Sequence, residues 1–292
     1  MSKVAIMTDS NSGIAPQEAK ELGISILPMP VLIDGKEYFE GLDLTHEKFY
    51  ELQIGGADIK TSQPSPASVT DMWDKLLEEC DEVVHIPMAS GLSESCNTAK
   101  MLAQDYDGKV HVVDNCRILV SQRRSALDAA ELAKKGVSGA EIKKYLEDDK
   151  SNSGIYLMVD TMKYLKKGGR VSPAAALIGT VLNIKPVLKF IGVKIDSHAK
   201  ARGTANAKAE IITATRAQLS EKFAGLSPDD LWMDMAYSYD RDAHNAFQRQ
   251  VEEAFPEFKG KIHVAPISLS IATHTGPGVV AVSVTKKLDY KK

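Results

Sequence analysis

Residues 82–106 read EVVHIPMASGLSESCNTAKMLAQDY. The stretch opens apolar with Val83, Val84 and Ile86, passes Pro87, and turns through Ala89-Ser90-Gly91-Leu92-Ser93. Ala99, Leu102, Ala103 and Tyr106 then recur at helical spacing. The pattern predicts strand, loop, helix. In an open parallel sheet, ligands sit at the carboxyl ends of strands, and the next helix start offers unpaired N–H groups to an anion. Ser90, Ser93 and Ser95 place hydroxyls around that spot. The same serines also suit an ordinary cap and turn. A second loop of similar chemistry precedes this one, Lys60-Thr61-Ser62-Gln63-Pro64-Ser65-Pro66. Ser65 followed by Pro66 has the form of an N-cap with proline in the first helical position, so residues 67–79 are expected as a helix. Two hydroxyl-rich helix starts that converged would make one anion site.

Working outward, the first half alternates strand and helix. Residues 4–7 read as a buried strand ending at Thr8-Asp9-Ser10, which line a crevice or cap the helix expected over 16–22. Residues 24–32 are extended, and Pro28 and Pro30 assign them to an edge or an irregular crossing. Asp34-Gly35 predicts a hairpin turn. A strand at 110–113 and helices at 119–134 and 140–150 follow, the last with a capping box of Ser138 and Glu141. This alternation means a parallel sheet with crossover helices. The pattern restarts near residue 150, which divides the chain into an N-terminal α/β domain, 1–150, and a second α/β domain, 151–292. In the second, 171–182 is small, apolar and uncharged, either a core helix or a wall facing a ligand tunnel. Residues 204–223 predict an amphipathic helix with Ala205, Ala209, Ile212, Leu219 and Phe223 on one face. Before the last strand lies Ser268-Leu269-Ser270-Ile271-Ala272-Thr273-His274-Thr275-Gly276-Pro277-Gly278, a segment of small residues around one histidine.

Composition bounds the function. The 292 residues exceed a usual domain of about 100–200. A net charge of −3 argues against a mainly electrostatic nucleic-acid binder. Three cysteines without a C-x-x-C pair indicate neither a disulfide framework nor a zinc ribbon. The first residues lack a signal-peptide run, and no stretch of about 18 apolar residues spans a membrane, so a cytoplasmic protein is expected. No G-x-G-x-x-G, Walker, H-E-x-x-H or G-x-S-x-G motif occurs, and the seven histidines lack metal-ligand spacing. No cofactor or metal is therefore expected. Lys166–Arg170 and Lys200–Arg202 read as a solvated face or as a basic rim.

Taken together and in order, these loops resemble the DegV family of bacterial fatty-acid-binding proteins. The resemblance is carried by Thr61-Ser62-Gln63-Pro64-Ser65, Ser90-Gly91-Leu92-Ser93, Tyr164-Leu165-Lys166-Lys167-Gly168-Gly169-Arg170, Ile184-Lys185-Pro186-Val187-Leu188 and Thr273-His274-Thr275-Gly276-Pro277-Gly278. It implies a two-domain α/β protein, with a parallel-sheet N-terminal domain and the ligand site between the domains. There it would enclose one long-chain fatty acid, the carboxylate at the domain boundary and the tail in an apolar tunnel. On this resemblance Thr61 and Ser93 are the carboxylate's hydroxyl donors, with Ser62 and His274 as neighbours. Arg170 and Arg202 would belong to the rim or to a docking surface for an ATP-dependent fatty acid kinase, to which a non-catalytic carrier presents the acid for phospholipid synthesis. The chain departs from the family pattern at Glu94, which puts a negative side chain by the expected carboxylate, and at Arg123 and Arg124, where small residues are usual. Two other classes use the same loops: a serine hydrolase with Ser93 as nucleophile and His274 as base, and an enzyme that binds phosphorylated metabolites.

Overall fold

The computed structural model describes residues 2–176 and 183–290. The expected apolar segment 171–182 lies partly outside them. In chain order the first elements are β1 (Val4–Asp9), α1 (Pro16–Leu22), β2 (Ile24–Leu27), β3 (Pro30–Ile33), β4 (Lys36–Phe39), α2 (His46–Gly55), β5 (Ile59–Thr61), α3 (Pro66–Leu77), β6 (Glu82–Ile86), α4 (Ser95–Leu102), β7 (Val110–Val112), α5 (Val120–Lys134) and α6 (Gly139–Asp148). There follow β8 (Ser153–Met158), α7 (Lys163–Gly168), α8 (Pro173–Ala176), β9 (Ile184–Phe190), β10 (Ile195–Arg202), α9 (Gly203–Glu221), β11 (Leu231–Tyr237), α10 (Arg241–Ala254), β12 (His263–Pro266), α11 (Leu269–Thr275) and β13 (Val280–Lys286). No described helix is long and apolar enough to cross a membrane.

The first unit holds a parallel sheet ordered β2-β1-β6-β7. Side chains alternate across it. Ile6, Val84 and Ile86 pack with Ala19 of α1, Ala126 and Leu132 of α5 and Ile142 of α6. Ala5, Met7 and Val83 pack on the other face with Val69 and Trp73 of α3 and Cys96 of α4. The chain winds from β1 outward to β2, then returns to place β6 on β1's other side. The carboxyl ends of β1 and β6 thus frame the point where strand order reverses, the usual place for a ligand in this architecture. A small antiparallel sheet ordered β4-β3-β5 belongs to the same unit. Its hairpin turns through Asp34 (φ 50) and Gly35 (φ 83), both left-handed as a two-residue hairpin turn requires. Here β3 is the middle strand, whereas its prolines had assigned it to an edge. Pro30 is tolerated because it is the first residue of the strand.

The second unit is built on a six-stranded sheet ordered β10-β9-β8-β13-β11-β12, antiparallel except between β11 and β12. Met233, Met235, Val282 and Val284 pack against Ile211 of α9 and Phe247 and Val251 of α10. The buried stripe of α9 is Ala207, Ile211, Ala214, Thr215 and Gln218; of the expected face, Ile212, Leu219 and Phe223 pack on this core, whereas Ala205 and Ala209 are exposed. In so alanine-rich a helix, two stripes satisfy the helical period, and the neighbouring sheet decides between them.

Contacts divide the chain less simply than one cut at 150/151. The first unit comprises Met1–Thr45, Ala57–Ser151 and Leu288–Lys292; the second comprises His46–Gly56 and Asn152–Lys287. The helix α2 joins the second unit through Gln53, whose Nε2 donates to the Ala272 carbonyl at 3.0 Å, and through Tyr50, which packs edge-on against Tyr239. The tail returns to the first, where the Tyr290 hydroxyl donates to Glu131 at 2.6 Å.

Candidate functional site

In the first unit the first hydroxyl-rich loop is tied to the helix that follows the second. β5 ends at Thr61, opposite Val31, and the chain then runs extended to Ser65. Ser65 caps α3 as its sequence predicts, accepting from the Ser68 N–H at 3.0 Å, with Pro66 in the first turn. Between them Gln63 accepts a hydrogen bond from the Thr98 hydroxyl on α4 at 3.0 Å, which ties the first loop to the helix that follows the second. In the second loop, half-buried Ser93 accepts from the Ser95 N–H at 3.2 Å, so its oxygen caps α4 while its O–H remains a donor. Ser90 receives support from Asp114, which accepts from its N–H at 3.4 Å and pairs with Lys100 at 3.1 Å. Glu94 is exposed and accepts from the Asn97 amide at 2.9 Å.

At the reversal of strand order, Asp9 is fully enclosed. It accepts from the Met88 N–H at 2.8 Å, the Asn11 N–H at 3.0 Å and the Gln122 amide at 3.1 Å. It thus caps the short turn Ser10–Ser12, not the helix α1. Burial pushes its carboxyl up to about 6, with the hydrogen bonds opposing. Gln122 also donates to Thr8 Oγ1 at 3.0 Å and to the Ile86 carbonyl at 3.2 Å, locking the ends of β1 and β6 together. Beside this knot a narrow, mostly apolar pocket is lined by Leu27, Met29, Pro64, Val69 and Pro87, with Asp9, His85, Ser95 and Thr98 on its walls.

The second unit brings two further predicted segments together. Helix α7 ends at Gly169 in the left-handed conformation, and α11 packs on it. His274 therefore lies in the last turn of a seven-residue helix, where the sequence had placed it in a loop. A Cβ on Gly168 would lie 2.2 Å from its Nδ1, and one on Gly276 would lie 2.3 Å from the Tyr164 ring. The glycines of the two motifs are thus what lets them interlock. Burial, reinforced by the nearby Arg170 charge, pulls the His274 imidazole down to about 4, so it is neutral at pH 7. Arg170 itself donates to the Gly168 carbonyl.

The remaining predicted residues fall elsewhere. Ser62 is exposed and donates to the Gln63 carbonyl at 3.1 Å. Arg202 is exposed at the end of the edge strand β10, and the Asn206 amide donates to its carbonyl at 2.8 Å. Arg123 and Arg124 are buried on α5, Arg123 paired with Glu18 of α1. Cys96 packs in the core, and burial pushes its thiol up to about 12, which makes it inert. Sequence reasoning missed Asp9 as a hub and missed Gln122 and His85 altogether. Only the contrast of a histidine within the apolar run 83–86 signalled the last. Among the described residues no group of acidic, histidine and cysteine side chains is arranged to hold a metal.

Comparison with known proteins places this geometry in context. A family model described as "Uncharacterised protein, DegV family" matches residues 3–287. The chain belongs to the DegV family. A DegV domain-containing protein of Deinococcus radiodurans is 31% identical over 281 residues, covering 96% of this chain and 97% of its own. The structure of a fatty-acid-binding DegV family protein from Thermus thermophilus superposes with a TM-score of 0.88 at 29% identity, covering 97% of this chain and 99% of its own. DegV of Bacillus subtilis, a fatty acid binding protein, gives 0.84 at 26% identity, covering 98% of this chain and all of its own, 100%. The two-domain α/β DegV fold is therefore the fold of this chain, and these DegV neighbours bind fatty acids.

Proposed function

We propose that this chain binds one long-chain fatty acid, its carboxylate held by the hydroxyls of Thr61 and Ser93 and its tail in an apolar tunnel. The observation that carries this reading is the Gln63–Thr98 hydrogen bond, which fixes the Thr61 loop to the helix behind the Ser93 loop at the reversal of strand order. The energetics support it. Burying fourteen methylenes contributes on the order of 11 kcal/mol, while a buried carboxylate must be hydrogen-bonded to avoid a cost of several kcal/mol. Hydroxyl and helix-start N–H donors meet that need. Glu94 turned to Asn97 does not oppose the anion by contact. The same reading assigns Ser62 and His274 as further ligands. It takes the chain as a carrier without catalytic function, with Arg170 and Arg202 in the surface that meets an ATP-dependent fatty acid kinase.

Native mass spectrometry of the purified protein, with extraction of the bound lipid, tests the reading directly. Thr61→Ala and Ser93→Ala each remove a hydrogen bond to a charged group, about 1.5–3 kcal/mol or roughly 10- to 100-fold in affinity, with little loss of fold. Unchanged titration of delipidated variants would reject the assignment. Covalent labelling of Ser93 by a serine-reactive probe would favour the hydrolase instead.

A further inference from the structure

The pocket beside the two hydroxyl loops carries two polar groups that have no partner among the described residues. His85 is 2% exposed, and neither ring nitrogen meets a hydrogen-bond partner among the described residues. Its ring packs edge-on against Trp73, 5.6 Å between centroids, on the α3 side of the sheet. Ser95, at the start of α4, is 9% exposed, and its Oγ is also unpaired. Both line the same pocket. Its other two polar walls are already engaged, Asp9 by backbone N–H groups and Thr98 by Gln63. Folded proteins pair nearly all buried side-chain polar atoms, and each exception is costly. Two exceptions on one pocket point to a single occupant that answers both.

The chemistry of that occupant follows from the groups. A neutral imidazole offers one N–H and one bare nitrogen, and a serine hydroxyl both donates and accepts. A methylene answers none of these; an alcohol, with one donor and two acceptor sites, can serve one ring nitrogen and the serine together. Asp9 on the wall disfavours a second carboxylate there, so the pocket suits a small uncharged polar group of an acid and not its head group. Ser95 lies two residues beyond Ser93, whose oxygen accepts its N–H at 3.2 Å, which sets the alcohol only a few bonds from the carboxylate. We propose that the pocket selects fatty acids bearing a hydroxyl near the carboxyl end, with His85 and Ser95 as the residues that bind this hydroxyl. The inference rests on the fatty-acid reading above and names its ligand class.

Calorimetric titration of the delipidated full chain with palmitate, β-hydroxypalmitate and ω-hydroxypalmitate tests it. The β-hydroxy acid should bind about 3- to 10-fold more tightly than palmitate, the yield of one net hydrogen bond, and the ω-hydroxy acid should gain nothing. His85→Phe keeps an aromatic ring against Trp73 and removes both nitrogens; Ser95→Ala removes the hydroxyl. In each, the ratio of the β-hydroxypalmitate and palmitate affinities should fall towards unity. Equal binding of the two acids by the unaltered protein would mean that buried water serves these groups, and would overturn the inference while leaving fatty-acid binding intact. A preference that survives both substitutions would overturn it as well. Binding of neither acid would sink the fatty-acid reading itself.

Discussion

The two units hold their loops by opposite means. In the first, the loops around Thr61 and Ser93 are tied by side-chain hydrogen bonds: Gln63 to Thr98, Asp9 to Met88, Gln122 to Thr8 and Ile86. In the second, α7 and α11 are joined by missing atoms, with Gly168 against His274 and Gly276 against Tyr164. The Gln63–Thr98 bond is only part-buried, so its groups can turn to water when it opens. A glycine in a tight contact has no such exit. The first arrangement leaves its loops freer to shift, and the second makes a rigid seat for one imidazole.

Three experiments sharpen this contrast. Gly276→Ala should be the most damaging. It adds strain at φ 76 and sets a Cβ 2.3 Å from the Tyr164 ring, together roughly 2–5 kcal/mol of stability. Chemical denaturation reads this, and a loss under 1 kcal/mol would contradict the packing. Next in size is acid sensitivity. Above pH 6.5 neither folded nor unfolded chain protonates His274. Between 6.5 and about 4 the unfolded chain takes the proton and the folded one does not, so stability falls as pH falls. His274→Gln should flatten that slope by at most about 1.4 kcal/mol per pH unit. An imidazole that titrates near 6.5 by NMR would refute the burial argument. The smallest effect belongs to the first unit. A double-mutant cycle on Gln63→Ala and Thr98→Val should return a coupling of about 0.5–1.5 kcal/mol, and zero coupling would free the first loop from α4.

Legibility in the sequence followed the range of the interactions. Ser65-Pro66, Ser138 with Glu141, and Asp34-Gly35 were readable because a cap or a turn is decided within four residues. The run 82–106 gave its strand, loop and helix for the same reason, although the helix closes at Leu102 and tightens into a last turn through Tyr106. What escaped depended on distance. Gln122 reaches Thr8 across 114 positions, and no local pattern announces it. On α9 only Ala205 and Ala209 were misplaced, because alanine satisfies either stripe; Ile212, Leu219 and Phe223 do reach the core. The helix around His274 spans only seven residues, too few for periodicity to speak. The loops that carry Thr61 and Ser93 were visible as separate hydroxyl clusters; their joining through Gln63 was not.

Helix α2 has a consequence for anyone who would dissect the gene. It sits in sequence between β4 and β5 of the first unit, yet buries Phe49 and Tyr50 in the second. A fragment ending at residue 151 would keep this helix and strip its aromatic face of cover, leaving a sticky surface prone to aggregation. A fragment starting at residue 152 would lack the same helix and expose the cleft it fills. Neither half is a clean piece of the polypeptide, and expression in two parts calls for transplanting residues 46–56 as well.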